Sequence, residues 1–265
     1  MSRTLPVFIG TILNWLLFGV LLVQVYIYFI AFPKDRTWWK AGVVAILVLE
    51  LIETLSNARD MVRTFGSGWG DMEVLDDVGW AWFSVPVMGS VVAFVGQMFF
   101  AYRIYKIARS KYVPVLVLIL SVVQLGAGIW TGVNICIARK FSLLQSHNVV
   151  ATAFWLAGTS LCDLVIVFST VYYINKALEP GFRRVRPDIS RIIMLTVETG
   201  ALCALFAIVD LYLFVSHKGT NYHLALCIEL SKIYSNSILL VQLNSPRAPK
   251  AVVLWKSGRR KRPGC

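Results

Sequence analysis

The stretch IELSKIYSNSILLVQLNS at residues 228–245 sets a carboxylate, Glu229, three residues before an ammonium, Lys232, inside an otherwise apolar run. The stretch VLELIETL places Glu50 and Glu53 at the same spacing. Residues three apart share one face of a helix, so each pair projects to the same side. Asp163, Glu198 and Asp210 also lie in apolar surroundings, which makes six carboxylates and one cation. Groups of this kind relay protons across a membrane, protonate substrates as general acids, or hold helices in register.

The elements that position them follow from hydropathy. The chain has 265 residues, is 57% hydrophobic and only 15% charged, and has a mean hydropathy of +0.68. Soluble domains carry about a quarter charged residues. Apolar blocks at 6–32, 41–62, 79–102, 113–137, 149–175, 191–215 and 224–243 are each long enough for a helix to cross a ~30 Å hydrocarbon layer. The connections are short and leave no room for a separate soluble domain. The predicted fold is all-α, a seven-transmembrane helix bundle over residues 1–244 with a basic tail at 245–265. The first block is too long for the apolar core of a signal peptide and reads as a retained helix.

The net charge of +12 is unevenly placed. The first, third and fifth connections and the tail at 245–265, which ends KSGRRKRPGC, hold 19 Lys and Arg, and the opposite side holds 6. Basic segments stay on the cytoplasmic side, so the N-terminus is expected outside and the C-terminus cytoplasmic. The same distribution argues against nucleic acid as a partner and for the lipid bilayer. Plasma membrane and endoplasmic reticulum are not distinguished.

Depths follow from the ~1.5 Å rise per residue. They put Glu53, Asp210, Glu229 and Lys232 in a midplane-to-outer layer, and Asp163 with Glu198 in an inner layer. The carboxylates beyond the reach of Lys232 are expected to be neutral or to line a wet cavity. Gly128 and Gly132 form a small-xxx-small pair suited to close helix contact, and Pro86 is expected to kink the third helix. Cys136, Cys162, Cys203, Cys227 and Cys265 have neither metal nor disulfide spacing. His147, His217 and His223 are too scattered for a metal site. No cofactor is expected. The acidic stretch GDMEVLDD reads as a solvated outer loop.

GTILNWLLFGVLLVQVYIYFIAFPKD, DDVGWAWFSVPVMGSVVAFVGQMFFAYRIYKIARSK and LSKIYSNSILLVQLNS together resemble a large family of fungal, chiefly basidiomycete, seven-helix membrane proteins. That family is catalogued as a domain of unknown function over its last three helices. The resemblance implies an integral membrane protein with no established activity. It also places an acid in the second helix, here Glu50 or Glu53, and a Lys-x-Tyr-x-Asn-Ser run, here Lys232 to Ser237.

Three readings follow. The first is a receptor-like or accessory protein with a polar intramembrane cavity and a hydrophobic small-molecule ligand. The second is a membrane-embedded enzyme of fungal secondary metabolism, resembling terpene cyclases, with Glu53 and Asp210 as general acids on a prenylated substrate. The third is a proton-coupled transporter, against which stands the lack of an inverted repeat. Lys232 also invites comparison with the retinal lysine of rhodopsins, but the third helix holds no internal carboxylate as counter-ion.

Overall fold

In hydrocarbon every backbone N–H and C=O must find its partner within its own segment, so long apolar runs fold as helices. In the computed structural model, which describes residues 5–68, 77–108, 111–138, 149–178, 187–216 and 222–244, seven helices are long and apolar enough to cross a membrane. They are α1 (Leu5–Ala31), α2 (Thr37–Val62), α3 (Gly89–Ala108), α4 (Tyr112–Ala138), α5 (Val149–Leu178), α6 (Pro187–Ser216) and α7 (Tyr222–Leu243). The tail at 245–265, His147, His217 and residues 71–76 of the acidic loop lie outside the described residues.

Burial runs opposite to that of a water-soluble protein. Leu16, Val23 and Ile30 on α1 and Leu116, Ile119 and Val123 on α4 face outward, while Asn14, Gln97, Gln124 and Lys232 are wholly enclosed. Many inward hydroxyls satisfy themselves locally. Thr54, Thr131, Ser160 and Thr170 each donate to the carbonyl four residues earlier, a bond that removes an orphan donor without a second helix.

The bundle is organised around its last helix. Its apolar window is 72% buried, against 28–56% for the other six spans. α7 touches α1, α2, α3 and α6. Along α1 the two backbones approach closely. A Cβ on Gly10 would stand 2.9 Å from the Ala225 Cα, and the amides of Asn14 and Asn236 reach the carbonyls of Ile228 and Leu17 across the seam.

Two helices depart from regular α geometry. α2 continues into a π turn at Arg63–Ser67, beyond its predicted end at 62. α3 is preceded by a longer π turn, Phe83–Met88, which contains Pro86. Proline lacks an N–H and crowds the preceding turn, so the expected kink takes the form of one widened turn. Just before that turn, the Trp80 N–H donates to Asp60 of α2 at 2.8 Å. Gly79 passes that carboxylate with φ +57°, a left-handed conformation in which a Cβ would sit 2.7 Å from Asp60 Oδ1.

α4 docks on the widened turn through the predicted glycine pair. A Cβ on Gly128 would lie 2.5 Å from the Ser90 Cβ, and one on Gly132 would lie 2.5 Å from Val87 Cγ2 and 2.9 Å from the Trp82 carbonyl oxygen. Gly126, on the outward side, has nothing within 4 Å. Gly132→Ala is therefore expected to destabilise the bundle by about 1–3 kcal/mol through overpacking against backbone. Gly126→Ala should be neutral or stabilising by roughly 0.5–1 kcal/mol. Thermal unfolding of the detergent-solubilised variants, followed by tryptophan fluorescence, checks the contrast; equal midpoints would disprove it.

Candidate functional site

One turn of α7 carries most of the site. Helical geometry turns the chain by about 100° per residue, so Lys232 and Tyr234 point to nearly opposite sides while differing in height by only about 3 Å. Ser231 and Ser235 flank Lys232 on the side that faces α2.

On that side Lys232, with no exposed surface, forms an ion pair with Glu50 and lies 3.4 Å from Glu53 Oε2. Ser235 donates to the other Glu50 oxygen, and Ser231 donates to Glu53 Oε1 at 2.8 Å. Isolated charges at this depth cost about 2.5–3.5 kcal/mol each on insertion scales. Here two carboxylates and two hydroxyls enclose the ammonium. The depth estimate paired Lys232 with Glu53; the closer partner is Glu50, one turn deeper on α2. The lysine's four-carbon stem spans that difference, and a depth taken from Cα positions misses it.

On the other side Tyr234 donates to Asp163 of α5. Gln97 of α3 donates to the second Asp163 oxygen at 3.2 Å, Gln124 of α4 donates to Gln97 at 3.2 Å, and Thr159 of α5 donates to Gln124 at 2.6 Å. All five side chains are buried. The chain of bonds ties α7, α5, α3 and α4 together without a cation. Asp163 is thus held by neutral donors, which is how an acid outside the lysine's reach is accommodated.

Asp163, predicted for the inner layer, and the Lys232 carboxylates, predicted for the outer side, are held by neighbouring positions of α7 at nearly one height. Two residues of α7 set the difference between them, and the helix itself separates them. Glu198 belongs to neither side. It is exposed on α6, because the buried stripe of that helix runs through Thr196, Thr199, Cys203, Ala207 and Asp210, and position 198 is turned about 100° from Thr199. Asp210 is fully buried and accepts a bond from the Cys227 thiol at 2.9 Å. Glu229 is buried on α7, one turn before Lys232.

Ser231, Thr159 and Cys227, which bond to Glu53, Gln124 and Asp210, also line a cavity of about 10 Å³ together with Gly89, Ala93, Trp155, Leu156 and Leu230. That is close to the minimum volume that admits one water. Glu53 and Asp210, the candidate general acids, do not line it. Among the described residues no group of three or more His, Cys, Asp or Glu is placed to hold a metal ion.

Gln97, Gln124, Thr159 and Tyr234 were not singled out by sequence reasoning. Lone amides in apolar runs, FVGQMFF and SVVQLGAG, were the available signal. An uncharged glutamine inside hydrocarbon needs a partner for the same reason a carboxylate does.

Residues 159–247 match a family of unknown function, DUF6534. The match begins within α5 and covers α6 and α7, so it includes Asp163, Lys232 and Tyr234 but not their partners Glu50, Glu53, Gln97 and Gln124. No curated protein and no solved structure matches the chain.

Proposed function

We propose that this chain is a fungal, receptor-like or accessory multi-pass membrane protein, oriented with the N-terminus outside and the C-terminus cytoplasmic. In this reading its intramembrane charges set the packing of α7 and take no part in chemistry on a substrate. The observation that carries it is the enclosure of Lys232 between Glu50 and Glu53, with Ser235 and Ser231 completing the bonds. A relay or an acid catalyst needs a group that can approach water or a reactant. Here Lys232 and Glu50 spend their bonding capacity on one another and on Ser235.

The same arrangement makes α7 the element whose position a signal would change. Moving it exposes an ion pair on one side and breaks the Tyr234–Asp163 bond on the other. A switch requires a second packing of this element, and the distances below test for one. The 19-to-6 excess of basic residues supports the orientation.

Glu50→Gln leaves Lys232 short of one counter-charge. Removing one partner of a buried pair costs about 3–5 kcal/mol, so a large drop in thermal midpoint is expected. Glu198→Gln, on the exposed face of α6, should stay within about 0.5 kcal/mol of wild type. Spin labels at the exposed positions Trp38 and Leu240, in a chain with Cys136 and Cys265 replaced, report the distance between α2 and α7. A single distance is expected in wild type, and a second population in Glu50→Gln. One unchanged distance in both chains would refute the switch. For the orientation, an N-terminal epitope should be reached by antibody on intact cells and a C-terminal one only after permeabilisation; the reverse pattern would invert it.

A further inference from the structure

The pairing around Lys232 leaves a remainder on the same side of α7. Glu229 is 3% exposed, and neither of its carboxylate oxygens has a hydrogen-bond partner. It lies one turn above Lys232, within electrostatic reach of that ammonium and of Glu53. Glu53 Oε2 has no hydrogen bond and only the ammonium at 3.4 Å. Asn14 of α1 is wholly buried; its Nδ2 donates to the Ile228 carbonyl, next to Glu229, while its Oδ1 has no partner.

The side chains that carry these atoms meet around one stretch of α7. Ser231, two residues after Glu229, donates to Glu53 at 2.8 Å, and Asn14 donates to the carbonyl of Ile228, the residue before Glu229. The three helices pack on each other. A buried acceptor without a donor is destabilising, and more so when charged. Four such oxygens gathered around that stretch imply something that all of them can bind.

Their chemistry limits what that is. All four are oxygens, three from carboxylates and one from an amide, the donor set of a hard cation. Two carboxylates fall short of the three-acid grouping that a divalent site would use, and none exists among the described residues. Lys232 is one cation facing three carboxyl groups, Glu50, Glu53 and Glu229. Glu229 and Asn14 are almost wholly buried, which excludes an occupant as large as an organic amine.

We infer that Glu229, Glu53 Oε2 and the Asn14 carboxamide oxygen form a binding site for a small monovalent metal cation, Na⁺ in the first instance, between α1, α2 and α7. The ion stands beside the Lys232 pair and draws α1 and α2 onto α7 from the outer side. This site goes beyond the packing role given to Lys232 above.

The test uses the whole chain in nanodiscs, with ²²Na⁺ binding and thermal unfolding measured at constant ionic strength as Na⁺ replaces choline. Binding of about one Na⁺ per chain is expected, displaced by unlabelled Na⁺ and not by choline. The thermal midpoint should rise saturably, by about 5 °C or more at a hundredfold excess over the binding midpoint. Glu229→Gln should abolish both responses, and Asn14→Ala should weaken binding severalfold. Asp163→Asn, on the opposite side of α7, should retain both. If wild type binds no ²²Na⁺, or if Glu229→Gln keeps the Na⁺ response, the site is refuted; the first result would mean that Glu229 carries a proton instead. Should Glu229→Gln fail to fold, the wild-type binding and the Asn14→Ala shift decide the matter. The spin-label distances for Glu50→Gln do not depend on any of these outcomes.

Discussion

An ammonium group surrounded by hydrocarbon has to be enclosed, and the architecture follows from that demand. Lys232 sits near the middle of α7, too far from either end for its stem to reach an interface by snorkelling. The helix that carries it is therefore drawn to the centre of the bundle, and its apolar window is the most buried of the seven. Because counter-charges must come to it, α2 is placed so that Glu50 and Glu53 meet the same face. The remaining helices close around this core with ordinary apolar contacts, such as the packing of Phe100, Ile104, Val117 and Ile166 between α3, α4 and α5.

Opposite sides of one turn do different electrostatic work. Toward α2 the bonds are charge-assisted and converge on a cation, whereas toward α5 they run from Tyr234 through Asp163 into two glutamines and a threonine. A hydrogen bond inside a membrane bundle is worth only about 0.6 kcal/mol on average, because the separated helices find other partners. Specificity is the larger effect. Rotating α7 by one residue would turn Lys232 and Tyr234 away from both sets of partners together. Sliding it by one turn would place Ile228 or Asn236 where Lys232 belongs. Two networks with incompatible chemistries thus fix both rotation and height.

Helix number and approximate limits were legible because hydropathy over about 20 residues depends on the bilayer and hardly on tertiary structure. The ends moved where local geometry intervened, at the π turn Arg63–Ser67 and at Phe83–Met88 around Pro86. Which charged residues turn inward was only partly legible. In a lipid-facing helix both sides are apolar, so the periodicity that marks the core of a soluble helix is weak. On α6 the buried stripe shows itself through small and polar residues, Thr196, Thr199, Cys203 and Ala207, and Glu198 lies off that stripe. Depth counting knew nothing of side-chain reach, which is why Glu50 was left out of the layer it anchors and Asp163 was set in a separate one.

Stability alone does not account for the acids that remain. Replacing a buried ion pair by well-packed apolar residues is often neutral or stabilising, and in lipid the apolar alternative is readily available. A chain that needed only a firm bundle would gain by giving up Glu229, whose oxygens bond to nothing in the protein, and Asp210, which has one thiol as its partner. The Asp163 network shows how this chain treats an acid it means to satisfy: both oxygens are bonded, and the amides behind it are bonded as well. Other buried oxygens, Asp210 Oδ1 and Gln24 Oε1 among them, also lack a partner. Glu229 differs from them in that, among the described residues, it is a buried carboxylate with neither oxygen bonded, and it stands beside an ammonium that already has its own partner. A packing defect strands one atom of a side chain; a whole carboxylate left bare next to a paired cation is the pattern of a site filled from outside the polypeptide.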